Sequence, residues 1–185
     1  GDFRWLFGLF FGTLYSPLVI TGLHHMSNAI DLQLIADFGG TNLWPMIALS
    51  NIAQGSAVLA VIFLHRGNEK EEQVSIPAAI SCYLGVTEPA MFGINIKYIY
   101  PFVAAMIGSG IAGLVATTFN VMANSIGVGG IPGFLSIQTD SMAMFIVCMA
   151  IAIVVPFLLT VLFEKKQLFA PKGEVEDAPV IQTQK

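Results

Sequence analysis

The chain has 185 residues, 55% of them hydrophobic and only 11% charged, with a formal net charge of -4 at pH 7. Soluble domains carry roughly 25% charged residues, so this composition, with a mean hydropathy of +0.75, excludes an ordinary soluble enzyme and points to an integral membrane protein. The two cysteines, Cys82 and Cys148, sit in apolar segments without CxxC or metal-type spacing, which argues against a disulfide framework, a zinc site or a reactive thiolate.

A membrane-crossing helix needs about 20 apolar residues for ~30 Å of hydrocarbon. Residues 5–20 form a short first candidate, with Trp5 and Tyr15 as interface anchors. Next comes Thr21-Gly22-Leu23-His24-His25-Met26-Ser27-Asn28-Ala29-Ile30-Asp31. As a helix it would set His24, Asn28 and Asp31 on one face. That makes a stripe of mixed donors and acceptors appropriate to a polyol. His24 and His25 would point about 100° apart on such a helix, and no HExxH pattern or third ligand follows, so no metal site is expected.

Residues 44–64 form a second span, interrupted only by Asn51 and Gln54, which either line a path or bond neighbouring helices. An acidic loop at 69–72 precedes 76–96, an apolar run broken by Pro77, Gly85 and Pro89. A third span, 99–119, carries Gly108/Ala112 and Ser109/Gly113 at four-residue spacing, which suits close helix packing inside the domain. The run 121–137 contains seven residues, 127–133, that cannot hold a regular helix. A fourth span, 142–163, carries Pro156 and stops at Glu164-Lys165-Lys166. Backbone left unpaired at membrane depth is tolerated only where protein or a wet cavity satisfies it. The two broken runs therefore read as re-entrant hairpins or discontinuous helices. The expected fold is an all-α polytopic bundle of about four spans and two such hairpins, with a disordered cytoplasmic tail from 167 to 185.

Charge placement refines this layout. If four spans cross and both broken runs return to their side of entry, Arg4, Arg66, Lys70, Lys97, Lys165 and Lys166 share one face. The opposite loops, 21–43 and 120–141, contain no Lys or Arg. By the positive-inside rule the first face is cytoplasmic.

Glu88 is the residue most in need of explanation. It stands inside an otherwise apolar run, where a charge costs several kcal/mol unless compensated, so an intramembrane Glu is a functional-site candidate. Pro89 suits the first turn of a short helix, which Thr87 or Glu88 would cap. An ionised carboxylate offers two acceptor oxygens and no donor, which suits adjacent hydroxyls such as those of a sugar. Tyr83, Phe92 and Trp44 are aromatic candidates for stacking on a sugar ring, although packing is the simpler role for each. No GxxxxGK[ST] loop supports ATP-driven transport, and no basic cluster supports nucleic-acid binding. Two other readings remain open: an ion-coupled secondary carrier in which Glu88 shuttles the ion, and a structural membrane subunit without a ligand.

The run Gly85-Val86-Thr87-Glu88-Pro89-Ala90-Met91-Phe92-Gly93-Ile94-Asn95 resembles the G-[IV]-T-E-P signature of enzyme IIC, the permease component of bacterial sugar phosphotransferase systems of the glucose–sucrose superfamily. Thr21-Gly22-Leu23-His24-His25 is similar to that family's G-x-H-[HW] element, and residues 123–133 with Leu135-Ser136-Ile137-Gln138 are most similar to trehalose-specific permeases. The resemblance spans 1–166 and implies the C-terminal, sugar-binding half of a homodimeric inner-membrane permease whose N-terminal half is missing here. Gly1 opening straight into an apolar run fits such a fragment. The resemblance further implies that Glu88 and His24 contact the sugar, with Gly85 and Thr87 beside them and His25, Asn28 and Asp31 as further candidates. It implies a disaccharide substrate, trehalose above others, and a separate IIB domain whose phosphocysteine phosphorylates the sugar. This chain carries neither the IIB cysteine signature nor a IIA histidine domain, so it is expected not to phosphorylate alone and to use no cofactor.

Overall fold

The computed structural model describes residues 3–169, and the tail expected to be disordered lies outside them from 170 on. Among the described residues every regular element is helical. In order they are α1 (Arg4–Ile20), α2 (His25–Phe38), α3 (Leu43–Leu64), α4 (Glu69–Tyr83), α5 (Glu88–Ala90), a π turn (Met91–Asn95), α6 (Ile96–Tyr98), α7 (Tyr100–Thr118), two 3-10 turns (Ile131–Ser136 and Thr139–Ser141) and α8 (Met142–Lys165). The β pairing among these residues is confined to two isolated bridges, Thr41 with Ala123 and Ala123 with Ile137.

Three helices, α3, α7 and α8, are long and apolar enough to cross a membrane. α1, expected as a fourth span, has 17 residues and is shorter. The centre is α3, whose most apolar window is 78% buried, against 28% for α8. A helix apolar on all sides belongs in the interior, and α3 is the post on which the rest is hung. Its 22 residues reach about 33 Å at 1.5 Å each.

The two ends of α3 define the ends of the molecule. Before its first turn, Asn42 donates to Asn120 Oδ1, which also accepts from Arg4, each at 3.2 Å. Beyond its last turn, His65 faces Glu71 at 3.0 Å and Glu164 at 3.1 Å, and the Tyr100 hydroxyl donates to Glu164 at 2.9 Å. Arg4 therefore lies at the end opposite Arg66, Lys70, Lys97 and Lys165, which corrects the expectation that all the basic residues share a face. The cause is the packing of α1 on α7. Ser109 Oγ donates to Gly12 O at 2.7 Å, and a Cβ on Gly113 would fall 2.5 Å from Gly8 O. These pairs set α1 antiparallel to α7, so α1 begins where α7 ends. α2 then brings the chain back to Thr41 at that same end, and α1 with α2 forms an out-and-back pair. The five remaining basic residues still cluster at the His65 end.

The small-residue stripe of α7 is used within the chain on two faces, because a Cβ on Gly108 would also strike Pro156 of α8 at 2.3 Å. The acids at 69–72 form no loop. Glu69, Glu71 and Glu72 occupy the first turn of α4, where negative charge complements the unpaired N–H groups of the helix start.

Both broken runs go in and come back. From the His65 end α4 passes along α3, with the Tyr83 hydroxyl 2.8 Å from Ser56 Oγ, and turns at Gly85, whose carbonyl accepts from Asn51 Nδ2 at 3.3 Å. The chain then returns to Tyr98, whose ring lies 5.3 Å from that of His65. From the other end, 121–137 rises to Gly129 and Gly130 and returns to Gln138, which donates to Gly39 O at 3.5 Å. The two tips meet backbone to backbone. A Cβ on Gly85 (φ +99) would lie 2.7 Å from Gly129 N, and one on Gly130 (φ +65) 2.2 Å from Tyr83 O, so only glycine fits at this contact.

Two outcomes follow from the packing. Gly113→Ala is expected to lower stability by about 1–3 kcal/mol by overpacking α1 against α7. Gly93→Ala, whose new methyl meets only Val74 Cγ1 at 3.4 Å, should leave the thermal midpoint unchanged in the same unfolding assay. His65 has a carboxylate oxygen at each ring nitrogen, so both nitrogens donate and the ring is an imidazolium. Burial alone would lower its pKa, but the hydrogen bonds and charges of Glu71 and Glu164 outweigh burial and hold it above the ordinary value. The stability it contributes is therefore full below about 6.5 and lost as pH rises through the raised value. Thermal midpoints of the full-length permease should fall across that window, and His65→Gln should flatten the profile.

Candidate functional site

A cavity of about 240 Å³ opens beside the tip of the first hairpin, walled by Tyr15, Val19, His24, His25, Asn28, Trp44, Ile47, Asn51, Gly85, Val86, Thr87, Glu88 and Gly129. Five stretches of chain converge there: the end of α1, the start of α2, the N-terminal half of α3, the tip between α4 and α5, and Gly129 of the second broken run. His24 Nε2 lies 3.8 Å from Glu88 Oε1, with 15% of the His24 side chain and 46% of the Glu88 side chain exposed. The two residues are 64 positions apart in the chain, and each is delivered by a turn at a positive-φ glycine, Gly22 (φ +74) and Gly85 (φ +99).

Six of the seven candidate residues, Gly85, Thr87, Glu88, His24, His25 and Asn28, line this one cavity. Asp31 does not. It is fully buried, and its Oδ1 accepts from Thr41 Oγ1 at 2.6 Å, tying α2 to the start of α3. His24 (φ -58, ψ -26) is already helical in conformation just before α2 and shares the cavity wall with Asn28, so of the expected stripe only Asp31 lies off the cavity. The two imidazoles do not point apart as expected: their ring centroids are 4.0 Å apart.

Helix α5 starts at Glu88 with Pro89 in its first turn, but no side chain caps it. Among the described residues the Glu88 carboxylate accepts no bond from its own main chain and meets only His24. A carboxylate that only accepts, imidazoles that donate or accept, and the amide of Asn28 together match a molecule bearing adjacent hydroxyls. Among the described residues no three His, Cys, Asp or Glu side chains converge as a metal-ligand set.

Several wall residues were not singled out as ligands from the sequence. Tyr15, expected at the membrane interface, is buried and presents its ring edge-on to His24 at a centroid distance of 6.4 Å. Trp44 is on the wall, whereas Tyr83 is held by Ser56 and Phe92 faces outward. Asn51 does both things considered for it, lining the cavity and holding the hairpin tip. Gln54 only bonds neighbours, donating to Ser16 and accepting from Asn95. The signal for the wall was helical spacing: Tyr15 with Val19, and Trp44 with Ile47 and Asn51, each share a helix face. A larger cleft of about 580 Å³, bounded by Phe7, Ile30, Phe38 and Met122, contains Arg4 but no acid or histidine. Chemistry rather than size therefore selects the smaller cavity.

Comparison with known proteins places the chain in a family. The family model described as "Phosphotransferase system, EIIC" matches residues 2–109, which include both His24 and Glu88. The chain is 58% identical over 160 residues to the trehalose-specific EIIBC component of the phosphotransferase system of Escherichia coli (strain K12), covering 86% of this chain and 34% of that protein. It is 52% identical over 158 residues to the trehalose-specific EIIBC component of Bacillus subtilis (strain 168), covering 85% and 33%. It is 47% identical over 162 residues to the sucrose-specific EIIBC component of Pasteurella multocida (strain Pm70), covering 86% and 34%. The chain thus spans about a third of the length of the curated relatives it matches. No solved structure matches it. With a family model covering more than half its length and a helical membrane architecture, this chain belongs to the phosphotransferase system EIIC family of integral membrane permeases.

Proposed function

We propose that this chain is the sugar-binding, C-terminal transport unit (1–166) of a permease that carries a disaccharide, trehalose in preference to sucrose, for phosphorylation by a IIB domain. The observation that carries the reading is the approach of His24 to Glu88 across a cavity that both broken segments help to close. An acid free of main-chain bonds, beside two imidazoles and an amide, is what recognition of sugar hydroxyls needs. The higher identity to proteins named trehalose-specific than to one named sucrose-specific favours trehalose.

In this reading 69–98 and 121–137 are re-entrant, and the His65 end is cytoplasmic because five basic residues gather there. The sugar's 6-hydroxyl is presented toward that end, where a phosphorylated IIB domain meets it. Relatives named EIIBC, about two and a half times as long as this chain, support a IIB partner and a further N-terminal permease half that completes a homodimer. The tail 167–185 is then a cytoplasmic extension. Cys82 and Cys148 are both buried and free, so phosphoryl transfer falls to IIB.

Glu88→Gln in the full-length permease is expected to raise the trehalose Kd about tenfold or more, since a hydrogen bond to a charged group is worth about 1.5–3 kcal/mol. Titration calorimetry measures this directly, and unchanged affinity removes Glu88 from the site. Uptake by membrane vesicles should require phosphoenolpyruvate and yield a phosphorylated sugar. Accumulation driven by a proton gradient alone would replace this reading with an ion-coupled carrier.

A further inference from the structure

The two sides of the cavity are brought by different arms of the chain, His24 by α1 and Glu88 by the first hairpin. One buried side chain on α3 is bonded to both arms. Gln54 is 1% exposed, in the middle of the central helix. Its Nε2 donates to Ser16 Oγ on α1 at 2.7 Å, and Ser16 lies 3.4 Å from Ser50 Oγ. Its Oε1 accepts from Asn95 Nδ2, which also donates to the Gln54 carbonyl at 3.3 Å. Ser16 and Asn95 are themselves fully buried.

Asn95 closes the π turn Met91–Asn95 that follows directly on Glu88–Ala90. A π turn adds a residue to the helical repeat and resets the facing of what lies beside it, and such turns recur at functional sites. Asn95 anchors that turn, and Gln54 anchors Asn95. Nothing in the apolar packing requires an amide here. A methionine would fill the space without the desolvation cost of a buried polar group.

We infer that Gln54 is a positioning residue for the sugar site, fixing the approach of His24 to Glu88 by bonding α1 and the hairpin to one point on α3. The inference rests on the reading of Glu88 and His24 as sugar ligands. In each arm the link is short: Ser16 stands eight residues before His24, and Asn95 seven after Glu88. Gln54 itself is not among the residues of the cavity wall.

The test measures trehalose affinity of the purified full-length permease by titration calorimetry, with thermal midpoints alongside. Gln54→Met removes both bonds at constant length and should raise the Kd about tenfold. Gln54→Glu, held protonated by burial, keeps a carbonyl acceptor for Asn95 and a hydroxyl donor for Ser16, and should stay within about twofold of wild type. Ser16→Ala severs only the α1 arm and should weaken binding by a smaller factor. That variant carries the test if Gln54→Met does not fold. In a Glu88→Gln background Gln54→Met should add less than about twofold, because the pair it aligns is already broken. Wild-type affinity in both Gln54→Met and Ser16→Ala, with Glu88→Gln weakened, overturns the inference and leaves the sugar site standing. Multiplying losses in the double variant reduce Gln54 to a structural role. Wild-type affinity in Glu88→Gln overturns the site and this inference together.

Discussion

The structure depends on a constraint that hydrocarbon imposes and water does not: every backbone amide and carbonyl at depth needs a partner. The chain breaks its helices in two places, at 84–87 and at 121–137. It satisfies the broken backbone by pressing the two breaks against each other and against α3. Asn51 supplies a side-chain donor to Gly85 O, and Asn124 and Gln138 bond Ser136 O and Met122 O through their main-chain amides. The glycines at the contact are required by distance, since a Cβ on Gly85 or Gly130 would lie within 3 Å of opposing backbone. The approach leaves a concavity at its edge, and the candidate site occupies it.

That origin explains the make-up of the cavity. Its floor is main chain and glycine, its sides are one face of α3 and the end of α1, and its charged group stands on the first residue after the break. Glu88 is held by where the hairpin turns, with no bond from its own amides, and half of its side chain stays open. Had α5 been capped by that carboxylate, the acid would have served the fold. Uncapped, it faces His24 from across the chain. The arrangement suits a ligand that supplies the missing donors, and it has few polar groups to spare for anything else.

Local chemistry was legible in the sequence, and direction was not. A charge in an apolar run, a glycine and a proline on either side of it, and the small-residue stripe of 108–113 all announced their roles because each is a local departure from what a membrane helix tolerates. Hydropathy carries no sign along the chain, however, so 5–20 read as a crossing. The reversal at Gly22 looked like any polar loop, and Arg4 was placed at the wrong end as a result. The acids at 69–72 read as loop because charge is usually solvated, although three of them stabilise a helix start. Asp31 lies off the cavity because its carboxylate is taken by Thr41 just ahead of α3, a partner that helical spacing does not name. Tyr15 and Trp44 were visible only as aromatics, because whether a ring faces a wall or lipid depends on a neighbour that periodicity does not name.

Gln54 shows why the polar residues of α3 resisted reading from sequence. Two amides three positions apart on a buried helix, Asn51 and Gln54, have the same composition signal and different tasks. Asn51 reaches the cavity and the hairpin tip, while Gln54 points to α1 and the π turn. Burying an amide without partners costs free energy, and burying one with every atom satisfied fixes geometry instead. Gln54 is satisfied at both its nitrogen and its oxygen, whereas Asn95 Oδ1 finds no partner among the described residues. That unpaired acceptor sits in the π turn next to Glu88, in the part of the hairpin that sets where the acid stands relative to the histidine.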